Sequence, residues 1–198
     1  MERTNEGINV KEFEECKACG DFQKLDSSCL MQKGRVPLII IGESPAKDGL
    51  VVSKRAFYNN DGKLQASGKV LSRLLAILNM KIEDINFTEC CKCVIQDRKI
   101  LDKCSSNCKH FLYKQLEDLS WCDIIITLGL HPTQTLLNKK IDRFSDYVGK
   151  VFSITIGNKE FQLVPIYHPS PVNPMGYKDN VPIFKMIKTM LESNSMKN

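Results

Sequence analysis

Apolar runs closed by glycine alternate along the chain with apolar positions at helical spacing. Pro37-Leu-Ile-Ile-Ile-Gly42 is unbroken and ends in glycine, as a strand buried on both faces does. Val70, Leu71, Leu74, Leu75 and Leu78 follow at i, i+3, i+4 spacing, the stripe of a helix that covers such a strand. Residues 87–95 read as a second strand, crowded with cysteines. Phe111, Leu112, Leu116 and Leu119 form a helix face behind the cap candidates Ser105, Ser106 and Asn107. Asp123-Ile-Ile-Ile-Thr-Leu-Gly129 is a third buried strand, and residues 132–137 form a short helix with His131-Pro132 at its start. Residues 151–156 and 160–166 flank Gly157-Asn158 as the arms of a hairpin, and 181–191 carry a last amphipathic helix. The alternation predicts one three-layer α/β/α domain over residues 1–198, with a central parallel four-stranded sheet. The polar ends, 1–10 and 193–198, are expected to be flexible. In this class a ligand sits outside the carboxyl ends of the strands, here at 43–60, 89–93, 130–131 and 168–173.

Composition narrows this picture little. An apolar fraction of 42% and a charged fraction of 26% are those of an ordinary globular protein. No apolar run approaches the roughly 20 residues that span a bilayer, and the polar, acidic start does not resemble a secretory signal. The expectation is therefore a cytoplasmic protein. Its mild net charge of +5 is compatible with a phosphate-bearing partner and decides nothing more.

The nine cysteines change more. An odd number, with no secretory signal, argues against a disulfide framework and for metal, redox or buried thiols. Cys16-Lys-Ala-Cys19 has the gap that lets two thiolates grip one centre, and a second pair is available among Cys90, Cys91, Cys93, Cys104 and Cys108. Zinc and an iron–sulfur cluster both accept four thiolates. Cys29, Cys90, Cys91 and Cys122 read as small buried hydrophobes.

Four segments, in order, carry a resemblance: Gly42-Glu-Ser-Pro45, Arg55-Ala-Phe57, Thr88-Glu-Cys-Cys-Lys-Cys93 and His168-Pro-Ser-Pro-Val-Asn173. Cys108-Lys-His-Phe-Leu112 and the strand ending in Gly129 fall between them in the matching places. Together they are similar to the iron–sulfur branches of the uracil-DNA glycosylase superfamily, its fourth and fifth families, over roughly residues 14–190. The resemblance implies a [4Fe–4S] cluster held by Cys16, Cys19, Cys93 and Cys108, mainly structural, with Cys104 competing as fourth ligand and zinc as the lesser alternative. It implies a monomer that flips a deaminated base, foremost uracil, out of single- or double-stranded DNA and hydrolyses its glycosidic bond.

The resemblance also implies the roles. Phe57 is the stacking platform beside Gly42, and His168 donates to the base carbonyl as charge develops on it. Glu43, Ser44 and Lys47 hold the water or a phosphate, with Asn60 assisting. Lys47, Arg55, Ser170, Val172 and Asn173 meet DNA, Val172 as an apolar wedge in the minor groove. Two positions depart from the pattern. Ser44 stands where other branches place Asp or Asn, and serine is no general base at neutral pH. Glu89 stands where the family has asparagine, and an ionised carboxylate facing uracil O4 forfeits roughly 1–3 kcal/mol of specificity. Burial that leaves Glu89 protonated would restore a donor. The departures keep a second expectation open, a cluster-bearing nucleic-acid binding protein with lost or altered base excision.

Overall fold

The computed structural model describes residues 8–20, 22–47 and 49–195. Six strands form one mixed sheet: β1 (Met31–Gln32), β2 (Leu38–Gly42), β3 (Asn86–Glu89), β4 (Ile124–Leu128), β5 (Phe152–Ile156) and β6 (Lys159–Ile166). Their order is β1-β3-β2-β4-β6-β5. The inner four are parallel, as the unbroken apolar runs predict, and β1 and β5 are antiparallel edges. The sheet is thus wider than the expected four strands. The β5–β6 arm is the predicted hairpin, turning through Gly157 at φ 57°. The two-residue β1 is too short to carry a periodic signal.

Alternate residues of each inner strand enter opposite cores. Leu38 and Ile40 of β2, with Ile124 and Ile126 of β4, pack with α3 (Ala66–Leu75) and α7 (Asn180–Ser195) through Leu71, Leu74, Phe184 and Ile187. Ile39 and Ile41, with Ile125 and Leu163, pack with α4 (Leu101–Asp118) and α5 (Leu130–Leu137) through Leu112, Leu116 and Leu136. Three layers result, as expected. Among the described residues no helix is long and apolar enough to cross a membrane.

Helix α4 corrects one expectation. It starts at Leu101, so Ser105, Ser106 and Asn107 lie inside it rather than capping it. A turn of 3-10 helix capped by Asp97 precedes it, and the polar side chains have tertiary partners instead: Ser105 meets His131, and Asn107 Nδ2 donates to the Ala18 carbonyl at 3.0 Å. The second strand is also shorter than predicted, because the chain leaves the sheet after Glu89. Residues 1–7 and 196–198, within the ends expected to be flexible, lie outside the described residues. Ile8 is buried, and α1 (Val10–Glu15) opens on an Asn9 cap.

Where β3 ends, Lys92 is wholly buried, its ammonium donating to Thr88 Oγ1 (2.7 Å), Gln115 Oε1 (2.7 Å) and the Glu89 carbonyl. Replacing it by methionine takes a donor from all three; Gln115 Oε1 keeps that of Thr88 Oγ1 (2.9 Å), and each group left unsatisfied costs about 1–3 kcal/mol. Lys92→Met is expected to lower stability by about 2–4 kcal/mol, read as a fall in the urea midpoint at unchanged slope.

Candidate functional site

Strand order reverses direction between β2 and β4, since β3 lies on one side of β2 and β6 on the far side of β4. Such a switch point opens a crevice at the carboxyl ends. A cavity of about 420 Å³ occupies it, lined by Gly42, Glu43 and Ser44 after β2, Phe87 and Glu89 of β3, Leu128 to Leu130 at the end of β4, and Phe57, Arg98 and His168 from loops. This volume suits a single base.

Phe57 is held at φ 68°, a left-handed conformation that a bulky residue adopts only under constraint. Gln65 N donates to its carbonyl at 2.8 Å, and Gly68 of α3 closes on it so tightly that a Cβ there would stand 2.7 Å from that oxygen. The ring meets Phe87 edge to face at 4.8 Å between centroids. An aromatic corner thus forms one wall of the cavity.

The two carboxylates differ. Glu43 is part-exposed and paired with Arg98, its Oε2 2.7 Å from Nη2. Glu89 is buried, and its Oε2 has no hydrogen-bond partner. Burial pushes the Glu89 carboxyl up to about 8; the nearby Lys92 opposes the shift and Glu43 adds to it. Its oxygen lies against β2, where a Cβ on Gly42 would meet Oε2 at 2.1 Å, so a larger residue there would displace the carboxyl.

His168 stands exposed at the cavity mouth, on the loop after β6. The protein crowded around its ring still lowers its pKa by desolvation, partly offset by Glu43, so the imidazole is neutral at neutral pH. The loop is clasped by Asn180 at the start of α7. Its amide donates to the carbonyls of Tyr167 (2.7 Å) and Gly176 (3.0 Å) and accepts from Tyr167 N (3.1 Å).

The structure thus gathers Gly42, Glu43, Ser44, Phe57, Glu89 and His168 of the predicted set and adds Phe87 and Arg98. Phe87 sits two residues before Glu89 on the same face of β3, a relation that strand periodicity alone implies. Arg98 lies in a segment with no pattern. Asn60, Lys47 and Arg55 do not line the cavity: Asn60 and Lys47 are exposed, and Arg55 stacks on Tyr58 and pairs with Glu83 at 3.1 Å. Ser170 and Asn173 turn the loop beyond His168, Asn173 N donating to the Ser170 carbonyl at 3.0 Å, and Val172 at its tip is 89% exposed. His131 is buried beside Ser105, with Nδ1 3.3 Å from Asp102, outside this cavity.

The cysteines gather behind the same loop. Cys16 closes α1, Cys93 bridges to Lys24, and Cys104 and Cys108 stand one turn apart on α4. Cys19 accepts from Asn107 Nδ2 at 3.5 Å. Desolvation pushes the thiols of Cys93 and Cys104 up to about 12; it also raises that of Cys108, against the opposing pull of Lys92, and Cys16 and Cys19 add to the rise at Cys93 and Cys108, as Cys19 does at Cys104. Among the described residues no three His, Cys, Asp or Glu side chains are drawn close enough to hold one metal ion. Cys29, Cys90, Cys91 and Cys122 are buried, as read from the sequence.

A crevice with an aromatic corner, a neutral imidazole and two unlike carboxylates has the groups that hydrolysis at a flipped nucleotide calls for. Over residues 31–191 the chain matches the sequence model of the Uracil DNA glycosylase superfamily and belongs to it, a family of DNA repair glycosylases that hydrolyse N-glycosyl bonds. It is 25% identical over 169 residues to a type-4 uracil-DNA glycosylase of Archaeoglobus fulgidus, covering 82% of this chain and 80% of that one. A type-4 uracil-DNA glycosylase of Sulfurisphaera tokodaii is also 25% identical, over 78% and 70% of the two chains. In fold it resembles SMUG2 of Pedobacter heparinus, with a TM-score of 0.51 over 94% of this chain and 96% of the other at 12% identity.

Asn180→Ala removes the three hydrogen bonds that clasp the His168 loop. It is expected to cost about 2–4 kcal/mol and to speed amide hydrogen exchange at Tyr167 and Gly176 beyond the general loss of stability.

Proposed function

We propose that the chain excises uracil from DNA by hydrolysis, without a lyase step, and that it acts in the compartment holding the chromosome. The observation that carries this is the neutral His168 at the mouth of a cavity walled by Phe57 and Phe87. The flipped base stacks on Phe57. His168 donates a hydrogen bond to the uracil carbonyl as the glycosidic bond lengthens and charge moves onto the base. The Glu43 carboxylate, oriented by Arg98, faces the positive charge developing on the sugar and holds the attacking water with Ser44. Neither group needs to become a strong base, because the oxocarbenium-like centre is itself strongly electrophilic. Val172, projecting from the loop past His168, fits the wedge that fills the space left by the flipped nucleotide, and Lys47, Arg55, Ser170 and Asn173 meet the strand on either side.

Cys16, Cys19, Cys93 and Cys108 would hold a [4Fe–4S] cluster. Their donor set is all thiol, and Cys16 and Cys19 lie near enough to Cys93 and Cys108 to raise both of their thiols. The cluster would supply a covalent clamp between the N-terminal segment and α4. Cys104, also turned to Cys19, is the alternative fourth ligand.

Purified protein incubated with a uracil-containing oligonucleotide is expected to yield abasic sites. His168→Ala is expected to slow excision by about 10²–10³ in single-turnover assays, the usual effect of losing one such donor. Release of no base from uracil, hypoxanthine or xanthine DNA would falsify the reading. Anaerobically purified protein is expected to be brown. Cys93→Ala is expected to lose the visible absorbance and bound iron together, whereas zinc in their place would refute the cluster.

A further inference from the structure

Among the described residues, one buried side-chain atom of the cavity lining has no hydrogen-bond partner. Glu89 Oε2 is buried without a hydrogen-bond partner, at the end of β3 and in the wall facing Phe57 and His168. Buried polar atoms in folded proteins are nearly always paired, and the exceptions cluster where a ligand completes the set. Oε2 rests against β2, in the space that a Cβ on Gly42 would fill.

We propose that Glu89 reads the base edge as a neutral carboxylic acid, its hydroxyl donating to uracil O4 and its carbonyl oxygen accepting from N3–H. This rests on the functional reading above. A carboxylic acid presents one donor beside one acceptor, the same pair that the amide of asparagine presents. The equivalence lasts only while the proton stays. An ionised carboxylate would turn two acceptors toward a base edge that offers one donor and one acceptor.

The charged and titratable neighbours favour the neutral form. Lys92, from the same loop, favours ionisation, but its ammonium is committed to Thr88, Gln115 and the Glu89 main chain. Glu43, from the loop after β2, disfavours ionisation. Arg98, ahead of α4, lines the cavity but is paired with Glu43, and His168, after β6, is neutral. Gly129 and Leu130, at the start of α5, carry no charge. Burial outweighs Lys92 and keeps the proton on Glu89 up to about pH 8.

Uracil use should therefore fail on the alkaline side in a way that family members with asparagine have no reason to share. Single-turnover excision by the wild type is expected to fall roughly tenfold per pH unit above about 8, the loss of one proton. Glu89→Gln, which keeps shape, donor and acceptor at every pH, is expected to show no such limb and to exceed the wild type about tenfold near pH 9. Glu89→Leu, which keeps the burial but neither bond, is expected to lose excision across the range. Parallel profiles for wild type and Glu89→Gln, or wild-type rates in Glu89→Leu, overturn the assignment. If no protein releases base, the functional reading falls and binding decides Glu89 separately. Tighter binding of a uracil oligonucleotide than of its abasic-analogue counterpart, lost above about pH 8 by the wild type but kept by Glu89→Gln, supports the role. No such preference in either protein overturns it.

Discussion

Burying an ammonium group costs several kcal/mol unless hydrogen-bond acceptors enclose it, and Lys92 has three. Its Nζ gathers the Thr88 hydroxyl, the Glu89 carbonyl and the Gln115 amide oxygen, joining β3 to α4. Burial pulls its pKa down to about 8, against the opposing pull of Cys108, Cys90 and Glu89. The main chain between Glu89 and Cys93 must curl round this one group. That curl ends β3 and turns Glu89 into the crevice while leaving Cys93 on the thiol side. The base pocket and the cysteine cluster are thus two faces of a single loop, fixed by one side chain between them.

From that loop outward, the chemistry is sorted by environment rather than by residue type. Glu43 and Glu89 line the same cavity, yet only Glu43 has a guanidinium partner and access to water. One carboxyl is suited to remain a charge opposite the sugar, the other to carry a proton against the base. His168 complements both, because an imidazole kept neutral donates without adding positive charge beside Arg98. The platform is built at some energetic expense: a left-handed Phe57 costs of order 1–3 kcal/mol, tolerated because Gly68 and Gln65 leave the main chain no other position.

Much of this is legible in the order of the amino acids. Buried parallel strands write themselves as unbroken apolar runs, and β2 and β4 obey that rule, so the carboxyl-end loops and their motif residues fall in the right place. Local patterns mislead where a side chain's partner is distant along the chain. Ser105 and Asn107 have the chemistry of helix caps, but their partners, His131 and Ala18, lie 26 and 89 positions away, so no local pattern could place them inside α4. Nothing along the chain marks Lys92 as buried, and only the fold reveals its acceptors. Arg98 and Asn180 act through single contacts with residues on other elements, Glu43 and Tyr167, which leave no periodic trace. Asn60 and Arg55 do not reach the cavity because the turn after α2 (Leu50–Ser53) aims Phe57 inward and its polar neighbours out.

Thiol ligation would let a short N-terminal segment bear on a pocket whose lining it does not join. Helix α1 has six residues, far below the length at which a helix is stable alone. The segment's apolar anchors are Ile8 and Phe13, the latter edge-on to Phe111 at 5.7 Å, and polar contacts such as Lys24 Nζ to the Glu14 carbonyl add to them. Leu25 N then donates to the Lys92 carbonyl at 2.9 Å, and Lys24 pairs with Cys93. A clamp through Cys16 and Cys19 to Cys93 and Cys108 would fix this segment along the outer side of the Lys92 loop. The direction in which Glu89 leaves β3 would then depend on sulfur ligation at the far side of the same five-residue turn. If Glu89 reads the base as proposed, that rigidity would help to keep its carboxyl buried and so protonated.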